Sequence, residues 1–93
     1  MDIKQNNTDT RGEFVAVSNG NQIGLMTYSW AGTDKFIIDH TEVSSAHKGE
    51  NVGKKMVYQA AAFAREKGVK IMPLCPFARA TFDKNEDIGD VLW

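Results

Sequence analysis

Asn51-Val52-Gly53-Lys54-Lys55-Met56-Val57-Tyr58-Gln59-Ala60-Ala61-Ala62-Phe63-Ala64-Arg65-Glu66-Lys67-Gly68 is where the hydrophobic period of the chain changes from two to about 3.6. Val52, Met56, Val57, Ala60, Phe63 and Ala64 form one apolar stripe. Lys54, Lys55, Tyr58, Gln59, Arg65 and Glu66 fall mainly elsewhere. The spacing predicts an amphipathic helix of about four to five turns. Gly68 is placed to end it, with Arg65 and Lys67 near the negative end of its dipole.

Three alternating runs precede this helix. Glu13 to Ser18 sets Phe14 and Ala16 against Val15 and Val17. Ser18-Asn19-Gly20-Asn21 carries the Asn-Gly hairpin signal. Gln22 to Ala31 resumes with Ile23, Leu25, Thr27 and Ser29 on one face and Met26, Tyr28 and Trp30 on the other, beside Gly24. Gly32-Thr33-Asp34 turns again, and Lys35 to Val43 is a third strand. Short turns between consecutive strands predict an antiparallel meander. Ser44 to Glu50 then breaks the pattern.

After the helix, Val69 to Leu74 reads as a fourth strand. Pro73 removes a backbone donor from it, which places it at an edge or a splay. Ala78 to Asp83 reads as a short helix, and Asp87 to Trp93 as another, burying Ile88, Val91, Leu92 or Trp93. The order is β-β-β-α-β-α. It predicts an α+β fold in which an antiparallel meander gains, after the central helix, one strand parallel to its neighbour. Residues 1–11 are polar and are expected to fray, leaving a single domain over residues 12–93.

A chain of 93 residues has room for one small domain. Its net charge of −1 weighs against a protein basic throughout and against a nucleic-acid partner. Cys75 is the only cysteine, so no internal disulfide forms, and a reducing, cytoplasmic setting is expected. No run is apolar enough to span a membrane, and residues 1–7 lack the apolar stretch of a signal peptide. The small net charge hides an asymmetry. Lys48 to Lys70 holds six basic residues against Glu50 and Glu66, a local +4, and the remainder carries −5.

Three stretches carry candidate chemistry. His47-Lys48-Gly49-Glu50-Asn51-Val52-Gly53-Lys54-Lys55 runs into a helix start, where free N–H groups and glycines suit a phosphate. The alternative is a loop whose glycines serve only backbone geometry. Asp39-His40-Thr41-Glu42-Val43 ends the third strand, and alternation puts His40 with Phe36 and Ile38. A histidine there is either a proton shuttle or a hydrogen-bonded core group. Pro73-Leu74-Cys75-Pro76-Phe77 presents Cys75 either as a small buried apolar group or as a thiol activated by His40. One cysteine and two histidines form no metal-ligand spacing.

Together these motifs resemble the minimal branch of the GNAT N-acetyltransferase superfamily. The carriers are His40-Thr41-Glu42-Val43, then Gly49-Glu50-Asn51-Val52-Gly53, then Ala64-Arg65-Glu66-Lys67-Gly68, then Pro73-Leu74-Cys75-Pro76-Phe77-Ala78, in that order. The resemblance covers about residues 12–92 and implies acetyl-coenzyme A as cosubstrate, with no metal. It implies that Lys48, Gly49, Glu50, Asn51, Val52, Gly53 and Lys54 cradle the pyrophosphate. Glu42 and Val43 would pair with the pantetheine arm, and His40 and Cys75 would stand at the active site. Asn51 occupies the place of the family's middle glycine, and asparagine tolerates the left-handed conformation. The implied reaction moves acetyl to a primary amine, a protein lysine among the acceptors. It proceeds either directly, with His40 as base, or through an acetylated Cys75. The alternative is a CoA-binding regulatory or interaction module without catalysis. The chain lacks the N-terminal helices that cover the acceptor side in longer members, and a monomer is expected.

Overall fold

The computed structural model describes residues 1–93. Five strands, β1 (Asp2–Asn7), β2 (Arg11–Ser18), β3 (Asn21–Ala31), β4 (Lys35–Val43) and β5 (Lys70–Pro73), form one sheet in chain order. The first four pair antiparallel, and β4 pairs with β5 in parallel. Helix α1 (Val52–Lys67) makes the crossover between β4 and β5, and α2 (Pro76–Lys84) follows β5. Short 3-10 segments lie at Ser45–His47 and Glu86–Val91. The meander, the crossover helix and the parallel strand match the reading of the sequence.

The polar N-terminus, expected to be irregular, is a paired strand. Residues 2–7 form β1, in register from Asp2↔Val17 to Asn7↔Gly12. Backbone pairing requires no apolar side chain, so a polar run can serve as an edge strand and gives little periodic signal. Ile3 packs against the core, and Gln5 Nε2 donates to Tyr28 Oη at 2.8 Å. Gly12 is required beside them, because a Cβ there would run into the Tyr28 ring.

One face of the sheet carries the core. Phe14, Ala16, Met26, Tyr28, Phe36 and Ile38 meet Val52, Met56, Val57, Ala60, Ala61 and Ala64 of α1. Tyr28 and Phe36 pack with ring centroids 4.8 Å apart, and Phe63 closes over both. Each such buried side chain is worth about 1.5–3 kcal/mol over exposure. Side chains of the other parity, such as Leu25, Thr27, Ser29 and Ile37, stay partly exposed and no helix covers them. Gly68 ends α1 in the left-handed conformation (φ 69°), and Val69 N–H reaches back to the Ala64 carbonyl at 2.9 Å.

The C-terminal segment is tied to α1 by polar contacts. Tyr58 donates to Asp87 at 2.7 Å, and Arg65 grips both oxygens of Asp90 at 2.8 Å. The Arg65 contact holds the Asp90 carboxyl below the ordinary carboxylate range. Acceptance by Asp87 raises the Tyr58 phenol above its ordinary value. Burial raises the Tyr28 phenol, partly offset by Gln5. Trp93 N–H donates to the Ile71 carbonyl at 2.8 Å, covering the outer edge of β5. No helix is long and apolar enough to cross a membrane.

Candidate active site

The site is built on a parting of strands. Pairing of β4 with β5 ends at Ile38↔Pro73, and the Pro73 nitrogen lies on the outer side of β5, the side on which Trp93 N–H reaches the Ile71 carbonyl. Leu74 and Cys75 both donate to the Ile38 carbonyl, at 3.1 and 3.2 Å, and Pro76 then starts α2. β4 continues to Val43 without a partner on that side.

A β-bulge decides which groups face the parting. Tyr28 pairs with Ile38 but Thr27 pairs with His40, so Asp39 is the extra residue. Ile38 directs its carbonyl to β5, whereas Ser44 N–H donates to Ile23 of β3 at 2.8 Å. Residues 38 and 44 have the same parity, so the extra residue is what turns them to opposite sides. Backbone groups of Thr41 and Val43 therefore face the unpaired side of β4.

The same bulge corrects the expected place of His40. Its side chain leaves the Phe36 and Ile38 face and stands 60% exposed on the uncovered face, 3.3 Å from Glu42 Oε2. The side chain that turns inward is Thr41, whose Oγ1 accepts from Cys75 Sγ at 3.3 Å. Cys75 is buried, caps the start of α2 and accepts from Ala78 N–H at 3.4 Å. No hydrogen bond joins His40 to Cys75; each has a different partner.

On the helix side of the parting lies a cleft of about 530 Å³. Glu42, Val43, Lys48, Gly49, Asn51, Val52, Gly53 and Lys54 line it, with Thr41, His47 and Phe77. Asn51 adopts the left-handed conformation (φ 61°, ψ 28°) and gives α1 no side-chain cap. Lys55 N–H is the first to find an α1 partner, the Asn51 carbonyl at 2.9 Å. The N–H groups of Val52, Gly53 and Lys54 have no protein acceptor and end at the cleft. The first turn holds no acid, and Lys48 and Lys54 border it. A Cβ on Gly53 would come 2.5 Å from Phe77, so glycine keeps this approach narrow but open. The arrangement fits a phosphate-bearing ligand. Glu50 alone among the expected cradle residues is not part of the lining. It binds His47 Nδ1 at 3.1 Å instead.

A second cleft, of about 500 Å³, opens on the uncovered face. Glu13, Thr27 and His40 lie in one cross-strand row, and Glu13, Thr27, Ser29 and Asp39 line the cleft. Ser29 donates to Asp39 Oδ2 at 2.7 Å and Asn6 to Glu13 Oε2 at 3.1 Å. Neither carboxylate has a cationic partner, although Arg11 borders the same cleft. The two clefts thus approach the 39–41 segment of β4 from opposite faces.

Residues 13–91 match the family of GCN5-related N-acetyl-transferases. The chain belongs to that family. A protein of Staphylococcus aureus described as a candidate GCN5-like N-acetyltransferase is 31% identical, superposes with a TM-score of 0.77, and is matched over 99% of this chain and 87% of its own. The ribosomal-protein-alanine N-acetyltransferase of Brucella melitensis biovar Abortus 2308 shares the fold at 20% identity and a TM-score of 0.72, over 83% of this chain. A streptothricin acetyltransferase candidate of Bacillus anthracis, solved with acetyl coenzyme A, shares it at 22% identity and a TM-score of 0.63, over 72% of this chain. The present chain spans 62% and 39% of the lengths of the last two. No curated protein sequence matches it. In this GCN5-related N-acetyltransferase, Thr41, His47 and Phe77 are the cleft residues that the sequence did not single out. Thr41 and Phe77 sit inside the quoted motifs, but the inward turn of Thr41 depends on the bulge at Asp39.

Proposed function

We propose that the protein transfers acetyl from acetyl-CoA to a primary amine that approaches from the uncovered face of the sheet. The observation that carries this reading is the meeting of two features in one cleft: the uncapped N-terminus of α1 and the unpaired edge of β4 at Thr41 and Val43. The α1 N–H groups, with Lys48 and Lys54, bind the pyrophosphate. The pantetheine arm runs along Val43 toward Thr41 as an added strand, with Thr41 and Val43 supplying backbone, while the backbone of Glu42, expected to share this role, faces β3. Backbone N–H at the parting is positioned to polarise the thioester carbonyl.

His40 receives the proton lost by the attacking amine, and Glu42 holds the imidazole. Direct transfer is favoured, because the thiol of Cys75 pairs with Thr41 and not with a base. The uncovered face supports a bulky acceptor, a lysine on a protein surface among them. Its cleft, where Glu13 and Asp39 have no cationic partner, suits a hydrophilic amine.

Calorimetric titration with acetyl-CoA tests the reading, comparing the wild type with Lys54→Glu and Gly53→Trp, followed by acetylation of an amine and peptide panel. Binding weakened in both variants, with turnover by the wild type, is the expected result. Absence of binding by the wild type overturns the reading. Binding without turnover of any amine favours a CoA-binding module instead.

A further inference from the structure

We infer that Thr41 is a catalytic residue, passing the Cys75 thiol proton to the CoA sulfur as it departs. This rests on the acetyltransferase reading above. Thr41 lines the helix-side cleft, on the unpaired edge of β4. Cys75 Sγ lies 3.3 Å from Thr41 Oγ1 and accepts the Ala78 N–H at 3.4 Å. With its sulfur held as an acceptor by the first turn of α2, Cys75 has its S–H to give, and Thr41 accepts it. The Thr41 hydroxyl proton then has no acceptor in the protein, and Thr41 borders the cleft. A half-buried hydroxyl with no protein acceptor, beside a cleft, is free to donate to a ligand atom there.

The acceptor is the sulfur, because of the side on which it arrives. Phosphates held at the start of α1 bring the thioester in from the helix side, where Thr41 and Cys75 are. His40 stands on the opposite face of the same strand segment. As the amine nitrogen bonds to the acetyl carbon, it loses a proton to His40. As the carbon–sulfur bond breaks, its electron pair stays on sulfur, which takes the Thr41 hydroxyl proton. Thr41 takes the Cys75 thiol proton in the same movement. Ala78 N–H holds the resulting thiolate. Cys75 regains its proton from water and His40 releases one to water, so protons balance and no redox partner is needed.

The test is steady-state turnover and acetyl-CoA affinity of Thr41→Val, Thr41→Ser, Cys75→Ala and the Thr41→Val/Cys75→Ala pair, with circular dichroism to verify folding. Loss of the general acid is expected to lower kcat roughly 10²-fold in Thr41→Val, with the dissociation constant changed less than about twofold. Thr41→Ser restores most of kcat. Cys75→Ala loses kcat as well, and the double variant loses no more than Thr41→Val alone. Full kcat in Thr41→Val, a loss confined to affinity, or unimpaired Cys75→Ala overturns the relay. Hydrolysis of acetyl-CoA needs the same sulfur protonation but no amine, which separates this inference from the acceptor reading. If no amine is acetylated, a hydrolysis rate lowered by Thr41→Val still supports the relay. Hydrolysis unchanged by Thr41→Val, or absent in the wild type, overturns it.

Discussion

The side chains of His40 and Cys75 lie on opposite faces of β4: His40 stands in solvent beside Glu42, and Cys75, at the start of α2, is buried under Thr41. The imidazole therefore has no path to the thiol through a shared hydrogen bond. Incubation with acetyl-CoA alone is expected to leave the intact mass of the protein unchanged. An acetyl adduct on Cys75 in intact-mass and peptide spectra would restore the covalent route.

In the proposed reaction His40 acts on the acceptor and not on the cofactor. His40→Gln is expected to lower kcat by roughly 10²–10⁴-fold. Acetyl-CoA affinity should stay within about twofold, because His40 is absent from the cofactor cleft. Parallel rate and calorimetric measurements check this split. A variant that loses affinity and keeps kcat contradicts it.

Gly53 and Phe77 set the width of the cleft. Gly53 is the second residue of α1, and alanine is the better helix former by about 0.8–1 kcal/mol within a helix. Yet a Cβ there would stand 2.5 Å from the Phe77 ring, which must swing away. Gly53→Ala is expected to keep or raise Tm while weakening acetyl-CoA binding about tenfold or less, a cost of up to about 1.4 kcal/mol. Gly89→Ala, with open space around it, is the control and should leave binding unchanged. Equal affinities for the two variants would refute the gating role of Phe77.

Lys48 and Lys54 border the cleft proposed to hold acetyl-CoA, a ligand with several negative charges. Charge reversal at either is expected to raise the dissociation constant about tenfold at low salt, with a smaller ratio at high salt as screening grows. Titrations at two ionic strengths measure it. A salt-independent loss would mean that the substitution had damaged the fold and not the field.

The Arg65–Asp90 pair predicts an acid-side stability effect. Asp90 has its carboxyl lowered in the folded chain by the Arg65 hydrogen bonds. A lowered folded value means that the stabilisation is present above the unfolded carboxylate value and is lost as pH falls through the folded one. Asp90→Asn is expected to lower Tm near neutral pH and to narrow its deficit as the solution is acidified below the ordinary carboxylate range. Thermal melts across that window check it. A deficit that is constant with pH would assign the loss to packing.

Much of this site was legible along the chain. The change of period at Asn51, the glycines at 49 and 53, and the prolines around Cys75 are local signals, because a helix start and a strand end are specified by near neighbours. The expected cradle residues accordingly line the cleft, apart from Glu50, which turns to His47. β1 was not legible, since an edge strand of polar residues carries no alternation to read.

The sequence by itself determined the order of elements, the buried stripe of α1 and the place of the glycine-bearing loop that lines the helix-side cleft. These depend on periodicity and on residues within one or two turns of each other. Tertiary structure decided which side of β4 each reactive group faces. Strand alternation is exact only while the register holds, and the extra residue at Asp39 is defined solely by pairing with β3. That one-residue shift turns His40 outward, turns Thr41 toward Cys75 and leaves the backbone of Thr41 and Val43 facing the parting.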